Sequence, residues 1–497
     1  MTRSAQDRLA RERGTLFGTG SYRVALCYPN PYPVAMSSLG YQVIYRRMNA
    51  HPDVQCERVV LPDDVAAFRR ARQPLVTLET GRPAGGADCL AFSLAYEPDL
   101  KNVFEMLDLM RIPALRADRP DDAPPVIIGG PITMSNALPL APFADAVVMG
   151  DGEGVVAPLM DALLLGRRGL EERLAALPGV FVPAVHGTAV PDMLIAPAGS
   201  LPAVGQISTP DAELSDMLLV EASRGCPRYC TFCVMRATAQ PMREARPEDV
   251  EAAFDTGAPR IGFVGAAVSE YTHIRRVLRK AVDLGKGVGI SSLRADRLDE
   301  EFVGLLHAGG YRTMTVASDA PSQAMRGRLK KGLRGRHLLH AAELARQVGM
   351  RVFKMYVIVG LPGETRDDID ELADFSLELQ RIIPRVALGL SPFVPKLHTP
   401  LGDAPFEDLK VQEARLAHLR SRLGGVVEMR SVSPKWAWVE YRLSQGGPEA
   451  GLAAWQAWKA GGAFGAWRKA FGAMTEDPRK ALHAAEEHAL WHAAGMR

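Results

Sequence analysis

The sequence predicts an α/β protein made of two successive domains of alternating strands and helices, followed by a small helical extension. Three observations predict it. Apolar runs of strand length alternate with segments of helical periodicity over most of the chain. A stretch at 191–213, rich in Pro, Ala, Gly and Ser and without aromatics, interrupts that alternation once and reads as a linker. Three cysteines at spacings of four and three follow directly on an apolar run, where α/β folds place ligands.

The first domain covers 1–190. Its expected strands are 22–28, 54–61, 88–94, 125–130 and 144–150. Asn30-Pro31-Tyr32-Pro33 breaks the chain after the first of them. Leu39, Val43, Ile44 and Met48 lie at helical spacing, and 100–109 repeats the pattern. Such alternation predicts a doubly wound parallel sheet with a ligand crevice at its C-terminal edge. The second domain, 214–423, carries six strand–helix units, with strands at 217–221, 260–265, 288–293, 313–318, 352–360 and 386–395. Residues 424–497 hold all six tryptophans, with glycine breaks at Gly446-Gly447 and Gly461-Gly462. This extension is expected to pack against the second domain. Its functional alternative is a lid, or a wall for an apolar or lipid-like substrate.

Composition sets the bounds. A chain of 497 residues with 47% hydrophobic and 23% charged residues is ordinary globular protein. A net charge of +2 predicts no bulk electrostatic partner. Residues 1–13 are polar, with four arginines and no apolar core, and no run of about 18 apolar residues occurs. Cytoplasmic residence is the default. The basic run 326–336 lacks stacking aromatics, so a solvated loop and helix start is expected, with RNA contact as the alternative.

The chemistry concentrates in Cys226, Cys230 and Cys233. A 4Fe–4S cube normally takes four thiolates, one per iron. Three leave one iron open to bind a substrate's amine and carboxylate and pass it an electron. Zinc wants a second ligand pair, and none is present.

The Cys-x3-Cys-x-Phe-Cys pattern resembles the signature of the radical SAM superfamily. The resemblance implies a 4Fe–4S cluster on Cys226, Cys230 and Cys233 with S-adenosylmethionine (SAM) chelated at the open iron. Reductive cleavage would release a 5′-deoxyadenosyl radical. A six-unit partial barrel and an electron donor such as flavodoxin or ferredoxin are implied as well. The cofactor-binding residues implied are Phe232 inside the motif, Gly265 and Ala266 where the family has a Gly-Gly-Glu turn, Ser292 and Arg294 for ribose and carboxylate, and Gly360 near the adenine. Ala266 and Ala267 supply no carboxylate, which leaves Glu270 as a late substitute. Asp319 is a candidate for ribose or substrate, and Lys396 for an acidic substrate group.

A second resemblance lies upstream. Ser93-Leu94, Gly129-Gly130 and Gly150-Asp151-Gly152-Glu153 look like the Rossmann-like cobalamin-binding domain that precedes many radical SAM domains. Small residues at strand ends would let a corrin approach the backbone. The loop 30–36 lacks the Asp-x-His-x-x-Gly element, so cobalamin would bind without a His ligand, or the domain has lost it. Methylthiotransferases hold a second cluster on three N-terminal cysteines. Here Cys27, Cys56 and Cys89 fall within or at the start of strands, which favours simple packing. The implied function is hydrogen abstraction from an unactivated carbon of a small or lipid-like molecule, then cobalamin-dependent methylation or C–C bond formation. A cobalamin-independent radical SAM enzyme and a non-catalytic iron–sulfur protein are the alternatives.

Overall fold

The computed structural model describes residues 4–291 and 293–474, the side chains of Ala198 and Ala237 excepted. Ser292 and Trp491 therefore lie outside the described residues. The chain divides into two compact units. The first takes residues up to 197, 205–216 and the segment from 442 onward; the second takes 198–204 and 217–441. No described helix is long and apolar enough to cross a membrane.

The first unit is built on a six-stranded sheet. Its strands are β1 (Tyr22–Tyr28), β2 (Val54–Val60), β3 (Cys89–Ser93), β4 (Val126–Gly129), β5 (Ala146–Val148) and β6 (Val180–Phe181). They lie in the order β2-β1-β3-β4-β5-β6, all parallel except β6. Strands covered on both faces read as near-continuous apolar runs, which is why 22–28 was legible as a strand, whereas β2 carries Gln55, Glu57 and Arg58 among its apolar residues. Cys56 and Cys89 pair with Val24 from either side, and Cys27 lies further along β1. All three thiols are fully buried, with Cys56 Sγ 3.7 Å from Met48 Sδ. They pack as small apolar side chains and do not converge on a loop.

One buried charge on this sheet needs an account. Arg58 of β2 is fully buried between two carboxylates, Glu12 at 2.7 Å and Glu79 at 2.6 Å. Its guanidinium also lies over the Tyr45 ring. An isolated buried guanidinium would be strongly unfavourable, so these two loops are tied to the sheet edge by charge pairing.

The tryptophan-rich extension departs from expectation. Its helices Pro448–Lys459 and Phe464–Gly472 belong to the first unit, not to the second domain. Trp458 Nε1 donates to Glu105 at 2.9 Å, and its ring meets Phe104 edge-on. A Cβ at Gly451 would fall 2.0 Å from the Pro139 carbonyl oxygen, so only glycine permits this approach. Asn136 Nδ2 donates to the carbonyls of Leu443, Ser444 and Gly446. Periodicity showed an apolar face on these helices but not what it would cover. The earlier part of the extension, through Trp436 and Trp438 to Tyr441, belongs to the second unit.

Among the described residues the second unit carries ten strands. They are β7 (Ala203–Val204), β8 (Met217–Glu221), β9 (Ser223–Arg224), β10 (Arg243–Glu244), β11 (Arg260–Phe263), β12 (Gly287–Ile290), β13 (Thr313–Ala317), β14 (Val352–Val359), β15 (Arg385–Pro392) and β16 (Glu428–Ser431). Two four-stranded sheets run β12-β11-β8-β7 and β13-β14-β15-β16. The six expected strands are β8, β11, β12, β13, β14 and β15, each followed by helix as alternation requires. β16 pairs parallel with β15. The unit thus continues to 441, past the expected boundary at 423. The linker also departs from expectation, because Ala203–Val204 pairs antiparallel with β8.

Candidate functional site

The cysteines sit in a loop that leaves the C-terminal end of β8 and is closed at its base. β9 and β10 pair antiparallel, Arg224 with Arg243 and Ser223 with Glu244, so the intervening residues form one excursion. Gly225 opens it at φ +95°, where a Cβ would fall 2.1 Å from the Ala239 carbonyl oxygen. Only glycine allows both that backbone and that approach. Gln240 Nε2 donates to the carbonyls of Cys226 (3.2 Å) and Arg228 (3.1 Å). The Thr231 N–H donates to Leu329 O at 3.1 Å, and the Leu401 N–H donates to Thr231 O at 3.2 Å. The ring of Phe232 packs on Ala320, Met325, Leu329, Leu361 and Phe393. Its part is to seat the loop on an apolar cluster.

Cys230 is buried; Cys226 and Cys233 are half-buried. Burial pushes the Cys230 thiol up, and the nearby Lys331 ammonium pulls it back. Burial pushes Cys233 up to about 11, with the Met235 backbone opposing. Each of these two thiols feels the charge of its neighbours in the triad. A bound metal deprotonates such thiols outright. Among the described residues the thiols share one loop without forming a closed metal cage.

Charged side chains surround this loop in pairs. Glu270 has a buried carboxylate that meets three guanidinium groups: Arg228 at 2.6 Å, Arg297 at 2.7 Å and Arg294 at 3.2 Å. Arg294 also binds Asp296 through two nitrogens, each at 3.1 Å, and donates to Lys331 O at 3.0 Å. Both residues expected to face SAM are therefore engaged within the protein. Glu270 anchors Arg228 of the cysteine loop, and Arg294 bridges to the segment after β13. Gly265 stands at φ +152°, where a Cβ would fall 3.0 Å from Ser223 O, and Ala266 is exposed beside it. Gly360 stands at φ +78°, and its N–H donates to the Glu364 carboxylate at 3.0 Å. Lys396 pairs with Glu440 at 2.9 Å.

The basic run keeps most of its expectation, since Arg328, Lys330, Arg334 and Arg336 are exposed and a helix starts at Gly335. Arg326 and Lys331 are buried, Lys331 contacts Asp319, and Arg328 donates to Gly363 O at 3.1 Å. The segment turns inward because Leu329 and Leu333 are core residues. Sequence reasoning missed Lys331; the apolar residues at 329 and 333 were the available signal. Ser93, Leu94, Gly129 and Gly130 lie at strand ends of the first unit. Gly130, at φ +112°, leaves room that Leu94 already takes, since a Cβ there would fall 2.5 Å from Leu94 O.

Comparison with known proteins resolves what kind of loop this is. Residues 220–376 match the radical SAM superfamily model, and 40–183 match the model described as radical SAM proteins, N-terminal. The chain belongs to the radical SAM superfamily. An uncharacterized protein of Methanocaldococcus jannaschii is 27% identical over 385 residues, covering 76% of this chain and 78% of its own. An uncharacterized methyltransferase of Pyrococcus horikoshii is 26% identical over 51% of this chain and 58% of its own. The cobalamin-dependent S-adenosylmethionine radical enzyme OxsB, solved with aqua-cobalamin and S-adenosylmethionine bound, shares the fold. Its TM-score is 0.52 at 15% identity, over 82% of this chain and 58% of that one. Radical SAM membership implies a 4Fe–4S cluster and SAM. The donor set fits that cluster: three soft thiols, no fourth, in one loop pinned at both ends.

Proposed function

We propose that the second unit is the SAM-cleaving site of a radical enzyme that abstracts hydrogen from an unactivated carbon and forms a new bond there. The three-cysteine loop at the end of β8 is the single observation that carries this reading. Cys226, Cys230 and Cys233 would hold the cluster. When bound, the cluster supplies the electron that splits SAM into methionine and a 5′-deoxyadenosyl radical. The protein's own part is to hold and shield. Gln240 and the β9–β10 pairing fix the loop's base, and Thr231 fixes its tip. Phe232 and its apolar neighbours keep water from one side. The electron would come from a flavodoxin- or ferredoxin-like donor, and the substrate is a small or lipid-like molecule.

Cobalamin-dependent methyl transfer is the finer reading. The first sheet has its order reversal between β1 and β3, where doubly wound sheets take ligands. The fold shared with OxsB and the Pyrococcus relative named as a methyltransferase support it. The residues themselves do not fit a histidine-ligated corrin. The loop after β1 has no imidazole, Asn30 Nδ2 is tied to Asp99 at 2.8 Å, and the space at Gly130 is filled.

Anaerobic reconstitution with iron, sulfide, SAM and dithionite tests the main reading. Formation of 5′-deoxyadenosine is expected; a reduced, fully loaded cluster that yields none would reduce the protein to an iron–sulfur binder. Adding cobalamin in a parallel sample tests the finer one through its visible absorbance after desalting.

A further inference from the structure

The segment after β13 and the cysteine loop meet through more than packing. Leu329 O accepts from the Thr231 N–H at 3.1 Å, which pins the residue next to Cys230 to this segment. Two positions on, Lys331 is 7% exposed, and its ammonium contacts the Asp319 carboxylate. The Lys331 carbonyl accepts from Arg294 Nη2 at 3.0 Å, and its N–H donates to Arg326 O at 3.1 Å. Asp319 follows β13 in the left-handed region at φ +60°, with its N–H on Tyr356 O at 3.1 Å. Both partners are thus fixed by backbone, two positions from the Leu329 carbonyl that holds Thr231 beside Cys230.

Stability alone does not explain such a pair. A buried ion pair adds little over apolar residues of the same volume. What it does supply is a fixed charge in a low-dielectric setting, where charge acts over a longer range than in water. Cluster potentials respond to net charge, hydrogen bonds and exposure around the ligands.

We propose that Lys331, held in place by Asp319, is the positioning residue that sets the reduction potential of the cluster on Cys226, Cys230 and Cys233. The inference rests on the radical SAM reading above. Three thiolates bring negative charge to a buried loop, and reduction adds one electron from a low-potential one-electron donor, with no bond made or broken. A fixed ammonium stabilises the reduced form more than the oxidised form. Removing it lowers the potential; removing the opposing carboxylate raises it.

The test is a mediated redox titration of the full chain, anaerobically reconstituted and followed by electron paramagnetic resonance. It compares wild type with Lys331→Gln, Lys331→Arg and Asp319→Asn. Lys331→Gln is expected to lower the reduced-to-oxidised ratio about tenfold at the wild-type midpoint, a downward shift of about 59 mV for one electron. Asp319→Asn shifts upward, and Lys331→Arg stays near wild type. Unchanged midpoints in fully loaded Lys331→Gln and Asp319→Asn overturn the inference while leaving the radical SAM reading intact. Should Lys331→Gln fail to load, Asp319→Asn decides, an upward shift supporting the inference and none overturning it. A wild-type chain that binds no cluster overturns both.

Discussion

The strand ends of the two units are built alike in backbone and differently in what occupies them. In the first unit the left-handed glycines at 130 and 150 are closed by the chain itself, through the backbones of Leu94 and Leu194. Its most buried charge, Arg58, lies within a strand and is fully paired. In the second unit Gly225 opens a loop of soft ligands, and charged groups gather around it: Glu270 among three arginines, and Lys331 with Asp319 beside Cys230. Small residues at a strand end therefore mark close approach, and the approaching group decides whether a site results.

The contrast breaks most completely at the cysteines. Alanine at Cys226, Cys230 and Cys233 together should abolish iron binding in the reconstituted chain with the circular dichroism unchanged. Full retention of iron would place the soft-ligand site elsewhere. Next is Glu12→Ala, which leaves the Arg58 guanidinium paired with Glu79 but its two buried Nη groups without their carboxylate. It should destabilise the protein by about 1–3 kcal/mol in urea unfolding and leave cluster loading intact. A loss below about 1 kcal/mol would mean that the charge is not truly buried.

A third prediction concerns pH. Burial pushes Glu364 up to about 7 against the pull of the Gly360 and Leu361 N–H groups and of Arg415. The raised value means that the folded state keeps a proton that the unfolded state releases. Stability from this site is full below pH 4.5, the ordinary value, and falls as pH rises to about 7. The decline is on the order of 3 kcal/mol, and Glu364→Gln should remove it from the urea midpoint plotted against pH. An unchanged slope would refute the assignment. The smallest pair of effects sharpens the comparison most. Gly225→Ala and Gly130→Ala should each cost about 1–3 kcal/mol, since both force a side chain into left-handed backbone. Only Gly225→Ala should also lower iron content.

Much of the fold was legible because long strands and helices repeat their pattern. β1 was read to the residue and the six strands of the second unit nearly so. Elements that escaped were short: β7, β9 and β10 have two residues each, too few for a period to show. The cysteine triad was visible because its ligands are close in sequence. The Glu270 cluster was not, because Arg228 reaches it from the cysteine loop while Arg294 and Arg297 reach it from the segment after β12. Arg294 and Glu270 were noticed singly as SAM contacts; their mutual pairing needed three dimensions. The basic run was read rightly at its four exposed cations, while Arg326 and Lys331 are drawn inward with the apolar residues at 329 and 333.

The anchors of the cysteine loop also set a schedule. Thr231 is held by Leu329 and Leu401, the second about 170 positions downstream. At roughly 5–20 residues per second of synthesis, some ten to thirty seconds separate the appearance of the thiols from that of their last support. During that interval three cysteines are present on a chain whose tip contact cannot yet form. Cluster delivery thus belongs after translation of the second unit, and oxygen exposure in the interval is a hazard that an expression host must manage.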